Sequence, residues 1–140
     1  MIDYTPANLL SIAAPLKALA NENRLQILHW LSDPECHFPP QQDGDLVKDG
    51  VCVGFITEKI GLRQPTVTNH MRLLQEAGLV TSKKIKNWVF YRLVPARADE
   101  ILQQTAGLWQ APDRATGKKA DATVEQDQGP GPLMRAGRIP

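Results

Sequence analysis

The stretch VGFITEKIGLRQPTVTNHMRLLQEAGLVTSKKIKNWVFYRL, residues 53–93, decides how this 140-residue chain is read. Its apolar residues keep a helical period and then switch to a period of two. Val53, Ile56 and Ile60 recur at helical spacing, which predicts a helix over Val51 to Ile60. Gly61 is free to take positive φ past the helix end, and Leu62 is placed to plug the angle before the next helix. Gln64 to Ala77 is that next helix. Val67, His70, Met71, Leu74 and Ala77 form its inward stripe, Pro65 sits in the first turn where its missing N–H is tolerated, and Gly78 stops it. Beyond Gly78 the period falls to two. Leu79 to Lys84 and Trp88 to Val94 alternate as strands, with Lys86-Asn87 as the tip, since Asn tolerates the left-handed region of a tight hairpin. Trp88 and Phe90 share one face and Tyr91 takes the other, a pattern that favours core packing over base stacking.

Helix, turn, helix and basic hairpin is the order of a winged helix-turn-helix, whose second helix enters the DNA major groove. Such a helix must present short polar side chains near its N-terminus. Gln64, Thr66, Thr68, Asn69 and Arg72 stand at the outward positions here. Gln and Asn pair bidentately with adenine and Arg with guanine, while Thr reaches a phosphate or a thymine methyl. Lys83, Lys84, Lys86 and Arg92 lie on or beside the hairpin, where a projecting wing straddles a phosphate backbone. The plainer readings are a solvated helix face and lysines that protect an edge strand. Turn, spacing and hairpin together favour DNA.

Net charge is +1, which by itself does not mark a nucleic-acid binder. The distribution does. From Arg63 to Arg92 six cations face one acid, Glu76, so the segment carries an excess of five positive charges that the rest of the chain offsets. A local field of that sign speeds encounter with an anion and makes binding salt-sensitive. Two cysteines are too few for a secreted disulfide scaffold, and neither a signal peptide nor a membrane span is evident, so a cytoplasmic location is expected.

Outside the central block, Leu9 to Ala20 is apolar on a broad stripe, wide enough to suggest burial by a partner chain; Pro15 predicts a kink there or a helix start near it. Asn21 is a good N-cap for a helix from Glu22 to Leu31, with Leu25, Ile27, Leu28 and Leu31 as core candidates. Residues 34–50 read as a long irregular connection, functional or disordered, with Phe38 packing down. Asp99 to Trp109 is the final helix, with its cap near Pro95 to Asp99. The expected fold is mainly α with a β-hairpin, in the order helix, helix, helix, helix, strand, strand, helix. Residues 1–111 form the DNA-binding and dimerisation domain and residues 112–140 a disordered tail.

Leu16 to Leu93 resembles the ArsR/SmtB family of bacterial winged-helix repressors. LKALANENRLQILHWL is similar to that family's opening helix pair, and GLRQPTVTNHMRLLQEAGLV to its reading helix over about twenty positions. The resemblance implies a homodimer built from the first and last helices, a near-palindromic double-stranded DNA operator, and repression relieved by a signal. It carries DNA-reading roles to Gln64, Thr66, Thr68 and Asn69. At Arg63 the chain departs from the family's usual Ser; Arg cannot accept the capping N–H bond, so Arg63 is assigned a phosphate contact. Metal sensors of the family carry Cys-x-Cys at the start of the motif's first helix. Here that pair is Cys52 and Gly54. The last-helix zinc set is incomplete too, with Asp99 and Glu100 but no His.

Cys36, His37 and Cys52 therefore stand apart. They flank the long loop and admit three readings: a soft-metal site, a reversible disulfide, or an incidental loop thiol beside a buried one. His29 and His70 read as structural. No cofactor is required by any motif. No nucleophile–base pair and no phosphate loop point to an enzyme. A protein-interaction module on a winged-helix scaffold is the alternative function, and it would not need the local charge or the polar helix face.

Overall fold

The computed structural model describes residues 5–110. The first compact unit ends at Gly107. The tail expected over 112–140 lies outside the described residues.

Helix α1 spans Pro6–Leu19. Thr5 caps it, its Oγ1 accepting the Asn8 N–H at 3.3 Å, and Pro6 supplies a preset φ in the first turn. The helix thus starts at Pro6 and not near Pro15, which lies buried inside it. Asn21 caps α2, Glu22–Ser32, as the sequence predicts; its Oδ1 accepts the N–H groups of Asn23 and Arg24 at 2.9 and 3.1 Å. Ile27 and Leu31 are buried, but Leu25 is 51% exposed. It stands two residues before Ile27, about 200° round the helix, so both cannot face one core.

The connection from 34 to 50 is not irregular throughout. Pro34–His37 forms one turn of helix, α3, and Phe38 packs down behind it, edge-on to Trp30 at 6.2 Å. Val51–Cys52 is a short strand, β1, where a helix start was expected. It pairs antiparallel with the later hairpin, Val51 opposite Tyr91 and Cys52 opposite Phe90. That pairing meets backbone groups the hairpin would leave open at its edge. Helix α4 accordingly begins at Val53 and runs to Ile60, ending on Gly61 at φ 75°.

Helix α5, Gln64–Glu76, follows after the turn. Its C-terminus closes on Gly78: the N–H of Gly78 reaches the Gln75 carbonyl and that of Leu79 the Leu74 carbonyl, both at 2.9 Å, with Gly78 at φ 78°. Strands β2, Val80–Ile85, and β3, Trp88–Leu93, complete a sheet ordered β1-β3-β2. At the hairpin tip it is Lys86, not Asn87, that takes the positive φ, 57°. Phe90 and Tyr91 are buried while Trp88 stays 51% exposed. The last helix, α6, covers Pro95–Ala106: it starts at the early end of the expected capping stretch, because Pro95 is itself a suitable first-turn residue, and it stops at Gly107, short of the expected Trp109.

The core gathers Ile27, Leu31, Ile56, Val67, Leu74 and Ile101 from four helices around one face of the sheet, which adds Val51 and Val80. It holds α5 by its inward stripe and leaves the opposite face to solvent.

Candidate nucleic-acid interface

The inward side of α5 is fixed by packing and by one polar anchor. Val67, Met71 and Leu74 are fully buried, and His70 sits among them at 9% exposure. Arg24, on α2, reaches His70: its Nη1 lies 3.1 Å from Nδ1, its Nε donates to the Ala18 carbonyl at 2.6 Å and its Nη2 to the Lys17 carbonyl at 2.9 Å. The guanidinium has no acceptor capacity, so Nδ1 must accept, which places the imidazole proton on Nε2. Burial first, and then the Arg24 charge, hold the His70 pKa below its ordinary value. Arg24, with His70 as its partner on α5, therefore joins three elements: the end of α1, the start of α2 and the middle of α5. At the far end of α5, Arg97 of α6 donates from Nε to the Ala77 carbonyl at 2.8 Å.

The outward side carries the candidate readers. Gln64, Thr66, Thr68 and Asn69 are exposed on the first two turns of α5. Arg63 precedes them as N-cap residue and makes no side-chain cap. The first-turn N–H groups thus remain open toward solvent, where a phosphate suits both them and the helix dipole. Asn69 and Arg72 are joined: Arg72 Nη2 donates to Asn69 Oδ1 and Nη1 to Glu76 Oε2, each at 2.7 Å. That brace leaves the Asn69 amide hydrogens available. Gln75 ties the helix to the wing through Ser82 Oγ at 3.0 Å.

On the wing, Lys83 and Lys86 are each paired within the chain, to Asp49 at 2.6 Å and Asp43 at 3.0 Å. Arg92 donates to the Lys48 carbonyl at 2.8 Å. Arg63 and Lys84 have no such partner among the described residues. The acidic partners lie in the loop before β1. Sequence reasoning missed them because the pairs span 34 and 43 positions along the chain.

Geometry of this kind has relatives. The chain is 42% identical over 76 residues to the uncharacterized HTH-type transcriptional regulator YbzH of Bacillus subtilis, covering 54% of this chain and 76% of that one. It is 34% identical to the arsenical resistance operon repressor of Escherichia coli, with 63% and 66% covered. The chain belongs to the ArsR family of winged helix-turn-helix transcriptional regulators. The transcriptional activator HlyU of Vibrio cholerae is 36% identical to this ArsR-family chain over 88 residues, 63% of this chain and 68% of HlyU. The solved HlyU structure superposes with a TM-score of 0.50, covering 75% and 98%. The homodimeric winged helix-turn-helix domain Mb0332 of Mycobacterium bovis, 23% identical, shares the fold with a TM-score of 0.51, covering 77% and 90%. No family model matches the sequence.

In this ArsR-family regulator the three residues set apart by the sequence lie as follows. Cys36 is exposed on α3, and Cys52 is buried as the residue before α4; both are free thiols. His37 stacks at a tilt on His29, ring centroids 5.2 Å apart. Among the described residues, no three His, Cys, Asp or Glu side chains gather as a metal group. Cys52 borders a cleft of about 440 Å³ that Phe55, Glu58, Trp88 and Phe90 also line. It therefore sits between the motif's first helix and the wing. No helix among the described residues is long and apolar enough to cross a membrane.

Proposed function

We propose that the protein is a cytoplasmic, homodimeric repressor that binds a near-palindromic operator beside its own gene and leaves it when a signal arrives. The observation that carries this reading is the outward face of α5. Four short polar side chains stand together on two exposed turns, on a helix anchored from behind by Arg24 and Arg97. A rigid helix with an adaptable polar tip is what base readout requires. The dimer would use α1 and α6, which contact each other and leave Leu10 62% and Leu102 57% exposed. Leucines so open on two adjoining helices fit burial by a second copy.

The release signal is proposed to act through Cys52, with Cys36 and His37 as further candidates, by thiol oxidation or by a soft metal ion. Cys52 supports this because it ends β1 and precedes α4, so a change at its sulfur would bear on the first helix of the motif and on the wing strand beside it. No enzymatic role is assigned.

Selection of binding sites from a random duplex pool tests the reading. It should return a two-fold related pair of half-sites about one helical turn apart. Enrichment of unrelated sequences would leave the fold without a sequence-reading function and favour an interaction module. Repeating the measurement with oxidant, reductant and zinc separates the two signals. If Cys36→Ser/Cys52→Ser responds as the parent does, both thiol-based signals are wrong.

A further inference from the structure

The segment between α3 and β1 brings acidic side chains to the wing, and it does so from a seated position. Gly44 lies against the Phe90 ring, where a Cβ would stand 2.9 Å from Cε2. Gly50, at φ 106°, lies on the Tyr91 backbone, where a Cβ would come within 2.4 Å of the carbonyl oxygen. Gln41 donates to the Gly50 carbonyl at 3.0 Å and accepts the Cys52 N–H at 2.7 Å. Arg92, two residues on from Phe90 along β3, holds the Lys48 carbonyl. Within the segment, Asp45 accepts the N–H groups of Val47 and Lys48, and Asp49 Oδ2 accepts that of Asp45 at 2.7 Å.

Two carboxylates of this built segment meet two wing lysines. Asp49 Oδ1 accepts from Lys83 Nζ at 2.6 Å, and Asp43 Oδ1 from Lys86 Nζ at 3.0 Å. The lysine side chains are 55% and 71% exposed, but the carboxylates only 14% and 31%. The carboxylates are the less exposed partners, and Asp49 is also held by the Asp45 N–H. The Lys83 hydrogen bond also holds the Asp49 carboxyl below its usual pKa.

We propose that Asp43 and Asp49 hold Lys86 and Lys83 away from DNA, so that the loop sets how much of the wing's positive charge reaches the phosphates. The inference rests on the DNA-binding reading above. If a lysine exchanged its carboxylate for a phosphate, an unpaired carboxylate would remain beside a polyanion. Like-charge juxtaposition of that kind disfavours the exchange. The sequence's excess of five positive charges therefore overstates what the interface offers. Arg63 and Lys84 have no such carboxylate partner among the described residues.

Non-specific binding reads phosphate contacts without needing an operator, since each lysine–phosphate contact adds about 0.9 to the slope of log affinity against log salt. The full chain would be titrated onto a fluorescein-labelled random-sequence duplex across a salt series. Asp43→Asn/Asp49→Asn should bind about tenfold tighter at low salt and steepen the slope by about two per protomer. Asn keeps an acceptor for the Asp45 N–H, and a thermal melt checks the fold. Lys83→Gln/Lys86→Gln should leave the parent's slope nearly unchanged and abolish the gain in the Asn background. This second arm decides the matter even if the Asn variant does not fold. A parent slope that falls by about two on losing the lysines would overturn the proposal. So would Asn-variant binding that is unchanged, weaker, or tighter at the same slope, the last marking long-range repulsion only. A parent with no salt-dependent affinity would overturn the DNA-binding reading and this inference with it. A parent that binds while the Asn variant behaves like it overturns the inference alone.

Discussion

Arg24 makes three contacts: two carbonyls at the end of α1 and the His70 ring on α5. Truncation would take this donor from the Ala18 carbonyl and the His70 ring in a partly buried site, while the exposed Lys17 carbonyl keeps the Ala20 N–H. Arg24→Ala should lose about 1–3 kcal/mol in urea unfolding. His70 adds a pH dependence of known sign. Its folded pKa lies below the ordinary 6.5, so between those values the unfolded chain binds more protons than the folded one. The stabilisation is fully present above pH 6.5 and is lost as pH falls from there toward the folded pKa. His70→Gln keeps an acceptor for Arg24 and cannot titrate, so its stability should fall less over that interval. A parent and variant with parallel pH profiles would refute the assignment. The reading residues belong to this scale too. The exposure of the candidate readers Gln64, Thr66, Thr68 and Asn69 was legible because outward polar positions follow once the inward stripe is known. The Asn69–Arg72–Glu76 chain was not, since side-chain pairing on an exposed face leaves no periodic trace.

At the scale of elements, the wing and its loop carry opposite expectations for two residues. Lys86 holds a positive φ at the hairpin tip, which suits glycine better. Lys86→Gly should stabilise the fold by about 0.5–1 kcal/mol, because the exposed ion pair it removes is worth little. Gly50→Ala should instead cost about 2 kcal/mol or more, since its Cβ would collide with the backbone of Tyr91. Thermal melts of the two variants should move in opposite directions. The elements that the sequence revealed are those long enough to show a period: α2, α4, α5 and the hairpin strands. A four-residue helix and a two-residue strand span only about one period each, so no repeat marks α3 or β1. Seating of the loop on β3 depends on partners some forty positions away. The start of α6 was legible only to within Pro95 to Asp99, since no side chain caps it and Pro95 needs no N–H partner.

For the whole molecule, α1 packs Leu16 and Leu19 on the core yet keeps Leu9 and Leu10 open, and α6 beside it leaves Leu102 open. A monomer gains nothing from that arrangement. Leu10→Glu/Leu102→Glu should halve the mass found by sedimentation while the circular dichroism of the fold persists; an unchanged mass would move the dimer surface elsewhere. Two copies joined there would present two α5 helices, and the reading of DNA by that pair is the claim on which the rest depends. Its most direct test is the affinity of the purified protein for a selected operator against a scrambled duplex of equal length, at one physiological salt concentration. The parent should prefer the operator by about a thousandfold or more. Thr68→Ala/Asn69→Ala should lose most of that preference and little of its affinity for the scrambled duplex. Equal affinity of the parent for both duplexes would contradict the account.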